Sequence, residues 1–215
     1  MPSFPSFMAP LEAGAPAPGV AGAPEQAKLD ALVMSGQEEV NWCWAAVTQA
    51  VLKFRHGREI SQEDIASDHA RRTGKKYLCA APHRRKVLGG ACGDGSCTGS
   101  CNDNHLLRIV LAEQGCLRDV LTAKAAPSFD AVRAEIDSGR PLACRVQWQP
   151  TGGHFILVSG WSIGADRARR VHVLDPASNQ GGKTIAERIL PYDTFASGYT
   201  QSGLRGRINY SYRTS

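Results

Sequence analysis

Gln37-Glu38-Glu39-Val40-Asn41-Trp42-Cys43-Trp44-Ala45-Ala46 sets a side-chain amide six positions before a cysteine that opens an apolar, alanine-rich run. From Asn41 onward Trp44, Val47, Val51 and Phe54 recur at spacings of three and four, one apolar stripe of a helix ending near Gly57. Cys43 therefore sits at a helix N-terminus, where the macrodipole favours a thiolate. A second stretch, Gly152-Gly153-His154-Phe155-Ile156-Leu157-Val158, starts an apolar strand with a histidine whose two preceding glycines let its ring face a cleft. A neighbouring imidazolium further favours the thiolate nucleophile, and the imidazole needs an acceptor that fixes its tautomer. Asp175, at the end of the strand Val171 to Leu174 and followed by the rigid Pro176, fills that place, with Asn179 in reserve. The Gln37 amide and the Cys43 backbone N–H together are the donors that a developing oxyanion needs.

Around these stretches the pattern changes from helices to strands. Residues 1–27, with Pro10, Pro16, Pro18 and Pro24 among alanines and glycines, read as a disordered leader, and the folded domain as 28–215. Ser61-Gln62-Glu63-Asp64 opens a second helix with acidic residues in its first turn. A third spans Asn104 to Glu113 and stops at Gly115; a fourth spans Phe129 to Asp137, with Ser128 as cap and Gly139-Arg140-Pro141 as stop. Leu142 to Trp148, His154 to Trp161, Arg170 to Leu174 and Arg207 to Tyr212 are short and rich in β-branched and aromatic residues, so each reads as a strand. Helices first and strands later predict an α+β fold, with a helical lobe over 28–128 and an antiparallel β-rich lobe over 129–215. Residues 71–103 carry no period and many glycines, cysteines and basic residues, which predicts an irregular insertion in the helical lobe.

Composition narrows the classes. The chain has 215 residues and 42% hydrophobic content, enough for a sizeable core. No run reaches the ~18 apolar residues of a membrane span, and no recognisable signal peptide precedes the domain. The net charge of +5 fits solubility and some affinity for acidic surfaces; no recognition motif accompanies it, so no nucleic-acid partner is expected.

Gln37, Cys43-Trp44-Ala45 and Gly153-His154 resemble the papain-like cysteine peptidases. The fuller set, Asn41-Trp42-Cys43-Trp44-Ala45-Ala46, Ile60-Ser61-Gln62-Glu63-Asp64-Ile65-Ala66, Cys101-Asn102, Gly153-His154-Phe155 and Leu174-Asp175-Pro176, resembles the bacterial members more closely. Those include staphopain-like enzymes and avirulence-type effector proteases delivered into host cells. The resemblance spans residues 33 to 212, with Cys, His and Asp in the family's order. It implies a two-lobe fold with a cleft between the lobes and a peptide or protein substrate. It also implies a Cys43, His154, Asp175 triad with Gln37 at the oxyanion, no cofactor, a monomer, and a secreted or host-delivered protein. Three departures stand out. Trp42 replaces the small residue of papain, the orienting residue is Asp where papain has Asn, and the insertion 71–103 matches the family only at Cys101-Asn102.

Each residue also has a plainer reading. Cys43 alone is a buried helical thiol, His154 alone a core histidine, Gln37 a loop amide, and Asp175-Pro176 a turn. His172 competes with His154 but lacks the glycine approach. Cys79, Cys92, Cys97 and Cys101 form either two disulfides or, with His83 and His105, a zinc site, or remain free thiols. Cys116 and Cys144 fit small buried hydrophobes. The basic run Arg71, Arg72, Lys75, Lys76, Arg84, Arg85 and Lys86 is either a solvated loop or a docking surface for an acidic partner. Trp148 and Trp161 belong to the core or the cleft wall. Rival functions are a transglutaminase-like or acyltransferase activity on the same triad, and a non-enzymatic adaptor on the same fold.

Overall fold

The helix that begins at the candidate nucleophile is the axis of the molecule. In the computed structural model, which describes residues 25–74, 102–179 and 181–215, α1 spans Cys43–His56 and buries nine side chains from Cys43 to Leu52. Its small residues Ala45, Ala46 and Ala50 let neighbours approach on several sides: α2 (Gln62–Arg72), α3 (Leu107–Glu113) and strand β4 (Gly153–Ile163). Gly57 ends α1 in the left-handed conformation, with its N–H bonded to the Lys53 carbonyl, an αL closure, and the Arg58 N–H reaching back to the Leu52 carbonyl. Ser61 caps α2 by accepting from the Asp64 N–H at 3.0 Å.

Among the described residues the sheet is antiparallel, has eight strands, and is built around β4. The others are β1 (Glu25–Lys28), β2 (Leu117–Ala123), β3 (Leu142–Trp148), β5 (Arg169–Leu174), β6 (Arg188–Pro191), β7 (Tyr199–Gln201) and β8 (Leu204–Thr214). The main order is β2-β8-β3-β4-β5-β6, with β7 paired to β8. β4 shares one edge between β3, over Gly153 to Val158, and β1, over Gly160 to Ile163; its other edge pairs with β5. α1 covers one part of β4, and α4 (Phe129–Asp137) packs on β4, β1 and β3. That double cover is why His154 to Trp161 is an unbroken buried run rather than an alternating one. The sheet also carries α5 (Tyr192–Ser197) between β6 and β7.

The α+β architecture agrees with the sequence expectation and is consistent with a papain-like fold, helices in the N-terminal part and a curled antiparallel sheet in the C-terminal part. Three details differ. Residues 25–27, expected in the leader, form with Lys28 a strand, because backbone bonds to β4 hold this polar segment. β2, expected within the helical half, joins β8 in the sheet. The third helix starts at Leu107, three residues later than expected. Residues 1–24 and most of the expected insertion, 75–101, lie outside the described residues; with them lie Cys79, Cys92, Cys97, Cys101 and His83.

Three backbone bonds tie the segment before α1 to the connection between β5 and β6. The Gly36 N–H donates to the Lys183 carbonyl at 2.7 Å, the Gln37 N–H to the Pro176 carbonyl at 3.0 Å, and the Gly181 N–H to the Gln37 carbonyl at 2.9 Å. A Cβ at residue 36 would lie 1.5 Å from the Asn179 carbonyl oxygen, so only glycine fits there. Gly36→Ala is expected to cost about 1–3 kcal/mol of stability, by analogy with overpacked cores, which a thermal melt reads as a lower Tm.

Candidate active site

β4 begins at the cleft, and its second residue is His154, buried with only 6% exposure. The ring Nε2 donates to Asp175 Oδ1 at 2.7 Å. Cys43 acts on the same ring electrostatically, and with Nε2 taken by Asp175 the nitrogen left for the sulfur is Nδ1. The loop residue Asp175, just beyond β5, is fully buried and turns into the 3₁₀ helix Pro176–Ser178. Sequence positions 43, 154 and 175 thus converge on one point, where the N-terminus of α1 meets the first turn of β4.

The buried carboxylate is well provided with donors. Besides His154, Oδ1 accepts from the Ala177 N–H at 2.9 Å; Oδ2 accepts from the Tyr199 hydroxyl at 2.6 Å and faces the Arg188 guanidinium at 3.6 Å. Burial alone raises the carboxyl pKa, but the bonds from His154, Tyr199 and Ala177 outweigh it and hold Asp175 below the usual aspartate range. Burial likewise opposes the imidazolium of His154. Hydrogen bonds and charge from Asp175 and Cys43 override that and push the imidazole up to about 10. Trp148 stacks on the His154 ring, 5.9 Å between centroids and 16° between planes, and screens the pair from solvent.

Gln37 is in place but differently engaged. It is 2% exposed, and its Nε2 donates to the Glu39 carbonyl at 3.0 Å and to the Val40 carbonyl, within the turn that leads into Cys43. Its Oε1 is buried without a hydrogen-bond partner among the described residues. Exchanging the amide O and N would set Oε1 against two carbonyl oxygens, so the orientation follows from its neighbours. In this state both amide hydrogens serve the loop, and donation to an oxyanion requires one to leave Val40 or Glu39. Gln62, fully buried on α2, grips both sides of Gln37: its Nε2 donates to the Gly36 carbonyl at 2.9 Å and its Oε1 accepts from the Glu38 N–H at 3.0 Å.

The other candidates are separated from this site. His172 is buried on β5, with its ring nitrogens against Glu187 and Ser162. Asn179 contributes a side-chain bond to the Thr184 carbonyl and backbone packing on Gly36. Cys116 and Cys144 are buried free thiols; burial pushes Cys116 up to about 12 and Cys144 higher still, which makes both inert. Cys43, by contrast, lines a cleft of about 380 Å³ between Asn104, His105 and Leu106 on one side and Arg145, Gln147, Thr151, Gly152, Gly153 and Phe155 on the other. Trp161 lies in the core, bonding Asp137 through its indole N–H at 2.7 Å, whereas Trp148 belongs to the site.

Tyr199, Arg188 and Gln62 were not foreseen as parts of the site. Tyr199 and Arg188 carry no local signature, since β6 and β7 approach Asp175 only through the sheet. Gln62 could be read from sequence as no more than a polar residue in a first helical turn. Among the described residues no group of three or more His, Cys, Asp or Glu side chains is arranged to hold a metal ion. No helix among them is long and apolar enough to cross a membrane.

Tyr199→Phe leaves the buried Oδ2 short of a donor and is expected to cost about 1.5–3 kcal/mol, the range for a hydrogen bond to a charged group. Because Asp175 is depressed in the folded state, this stabilisation is present above the ordinary aspartate value of 3.8 and is lost as pH falls through the lower folded value. Melting both proteins across that acid range should show the difference in Tm shrinking toward low pH.

Comparison with known proteins adds one match. The model of the Peptidase_C39 like family matches residues 25–205, and no curated protein matches the chain.

Proposed function

The chain belongs to the Peptidase_C39 like family, a family of cysteine peptidases, and from that premise we propose that it is an endopeptidase that uses Cys43, His154 and Asp175. The observation that carries this reading is the buried Asp175–His154 pair, bonded at 2.7 Å, with the imidazole raised in basicity by Asp175 and by Cys43 at the start of α1. The Cys43 thiolate attacks the scissile carbonyl carbon, and the carbonyl electron pair moves onto oxygen. The Cys43 N–H, without an intrahelical partner at the first turn of α1, faces the new charge together with a Gln37 N–H released from its loop carbonyl. The His154 Nδ1 proton passes to the leaving amine as the carbonyl re-forms and the C–N bond breaks. His154 then takes a proton from water, whose oxygen displaces the sulfur from the acyl-enzyme and restores the ion pair.

Asp175 keeps Nε2–H oriented and the imidazolium charged, and Trp148 keeps water off the pair. The narrower grouping with staphopain-like and effector proteases, and a secreted or host-delivered location, are part of the same proposal. They are supported by the motif resemblance and by the cysteine density at residues 79–101.

Cys43→Ala should abolish peptide hydrolysis and labelling by a thiol-directed epoxide, read by mass spectrometry; retained hydrolysis overturns the proposal. Including a primary amine in the wild-type reaction distinguishes hydrolysis from acyl transfer by product mass. The second expectation concerns pH. A histidine raised to about 10 keeps its proton well into alkaline solution, and the stabilisation it supplies is full below its ordinary 6.5 and lost as pH rises through about 10. Asp175→Asn removes the anion that raises it, so the alkaline limb of kcat/KM should move to lower pH. An unmoved limb removes Asp175 from the mechanism.

A further inference from the structure

The cleft wall opposite Asn104 to Leu106 holds a cation with no carboxylate partner among the described residues. Arg145 lies on β3, opposite Phe155 of β4 and two residues from Gln147, so these side chains share the face that lines the cleft with Cys43. Its guanidinium is half-buried and lies over Gly153, the residue before His154: a Cβ at 153 would be 2.5 Å from Arg145 Nη2. Nη1 donates to two neutral acceptors, Gln147 Oε1 at 2.7 Å and Asn209 Oδ1 at 3.1 Å. Among the described residues Arg145 faces no carboxylate within ion-pair distance. The nearby charges have the same sign. Arg207, exposed on β8, is opposite Gln147, and Arg108, exposed on α3, acts with Arg145 on the Tyr212 hydroxyl.

A half-buried guanidinium held in a fixed fork, with neither a bond to Nη2 nor a carboxylate partner among the described residues, is arranged to receive a carboxylate from outside. Gln147 also donates to the Gly152 carbonyl at 2.8 Å, so the fork and the Gly152-Gly153 approach to His154 are fixed as a unit. We infer that Arg145 is a specificity-determining residue that binds an acidic side chain of the peptide substrate close to the scissile bond. Gly153 is required for this placement, because any side chain there would displace the guanidinium. This inference rests on the peptidase reading above.

The test uses the full chain and a peptide library acetylated at the N-terminus and amidated at the C-terminus, so that only side chains supply carboxylates. Each position near the cleavage site carries Glu or Gln in matched pairs. At one position wild type should favour Glu over Gln by about 10- to 100-fold in kcat/KM, the size expected of a charge-assisted hydrogen bond. Arg145→Gln should bring that ratio toward one, Arg145→Lys should keep part of it, and Arg145→Glu should turn the preference toward Lys at the same position. Wild type cleaving Glu and Gln peptides equally at every position overturns the inference, whether or not the variants fold, and leaves the peptidase reading standing. Cleavage of no peptide by wild type, or cleavage equal to that of Cys43→Ala, overturns the peptidase reading and this inference with it.

Discussion

A carboxylate with no solvent exposure sets the terms for the C-terminal half of this protein. Removing an ion of that size from water costs several kcal/mol even after the protein relaxes, so Asp175 has to be met by donors from elements far apart in sequence. They arrive from the start of β4, from the turn that follows β5, from β6 and from β7. The short β6 and β7 are held where Arg188 and Tyr199 reach one oxygen, and Tyr199 is itself fully buried in the core. Arg188 also lies over the Tyr199 ring at 5.1 Å and bonds its hydroxyl at 3.2 Å, so the donors brace one another. The charge that makes His154 basic thus also ties β6 and β7, each already paired in the sheet, to the end of β5.

The opposite side of the site is fixed by backbone. The segment Gly36 to Glu38 lies between Gln62 of α2 and the carbonyls of Pro176 and Lys183, so the residue before Gln37 belongs mechanically to both the helices and the sheet. Pro176 follows Asp175 directly. A shift of the Asp175 carboxylate and a shift of the Gln37 amide are therefore coupled through one hydrogen bond of 3.0 Å. An amide already satisfied by its own loop is a donor in waiting, and the exchange of one carbonyl for another costs little in gross hydrogen bonding.

What the sequence made legible follows the strength of local signals. α1, α2 and α4 carry an apolar stripe together with a stop or a cap, and β3, β4 and β5 are apolar enough to be read without partners. Cys43, His154 and Asp175 stand at element ends marked by a helix start, paired glycines and a proline. β1 was invisible because Glu25-Gln26-Ala27-Lys28 buries almost nothing, and its conformation comes from backbone pairing alone. β2 alternates weakly with two register shifts, and β7 is three residues long, closed onto β8 by Ser202-Gly203 with both φ values positive. Tyr199 and Trp148 took their roles from neighbours across strands, information that no window of sequence contains.

The division of one edge of β4 between β3 and β1 has a bearing on how the protein can be handled. If residues 25–28 are removed, the stretch Gly160 to Ile163 becomes an unpaired edge beside buried Trp161, with backbone donors and acceptors facing solvent. Such an edge is a template for a strand from another molecule. Self-association of a shortened chain would then report the loss of a four-residue cover rather than a property of the active site.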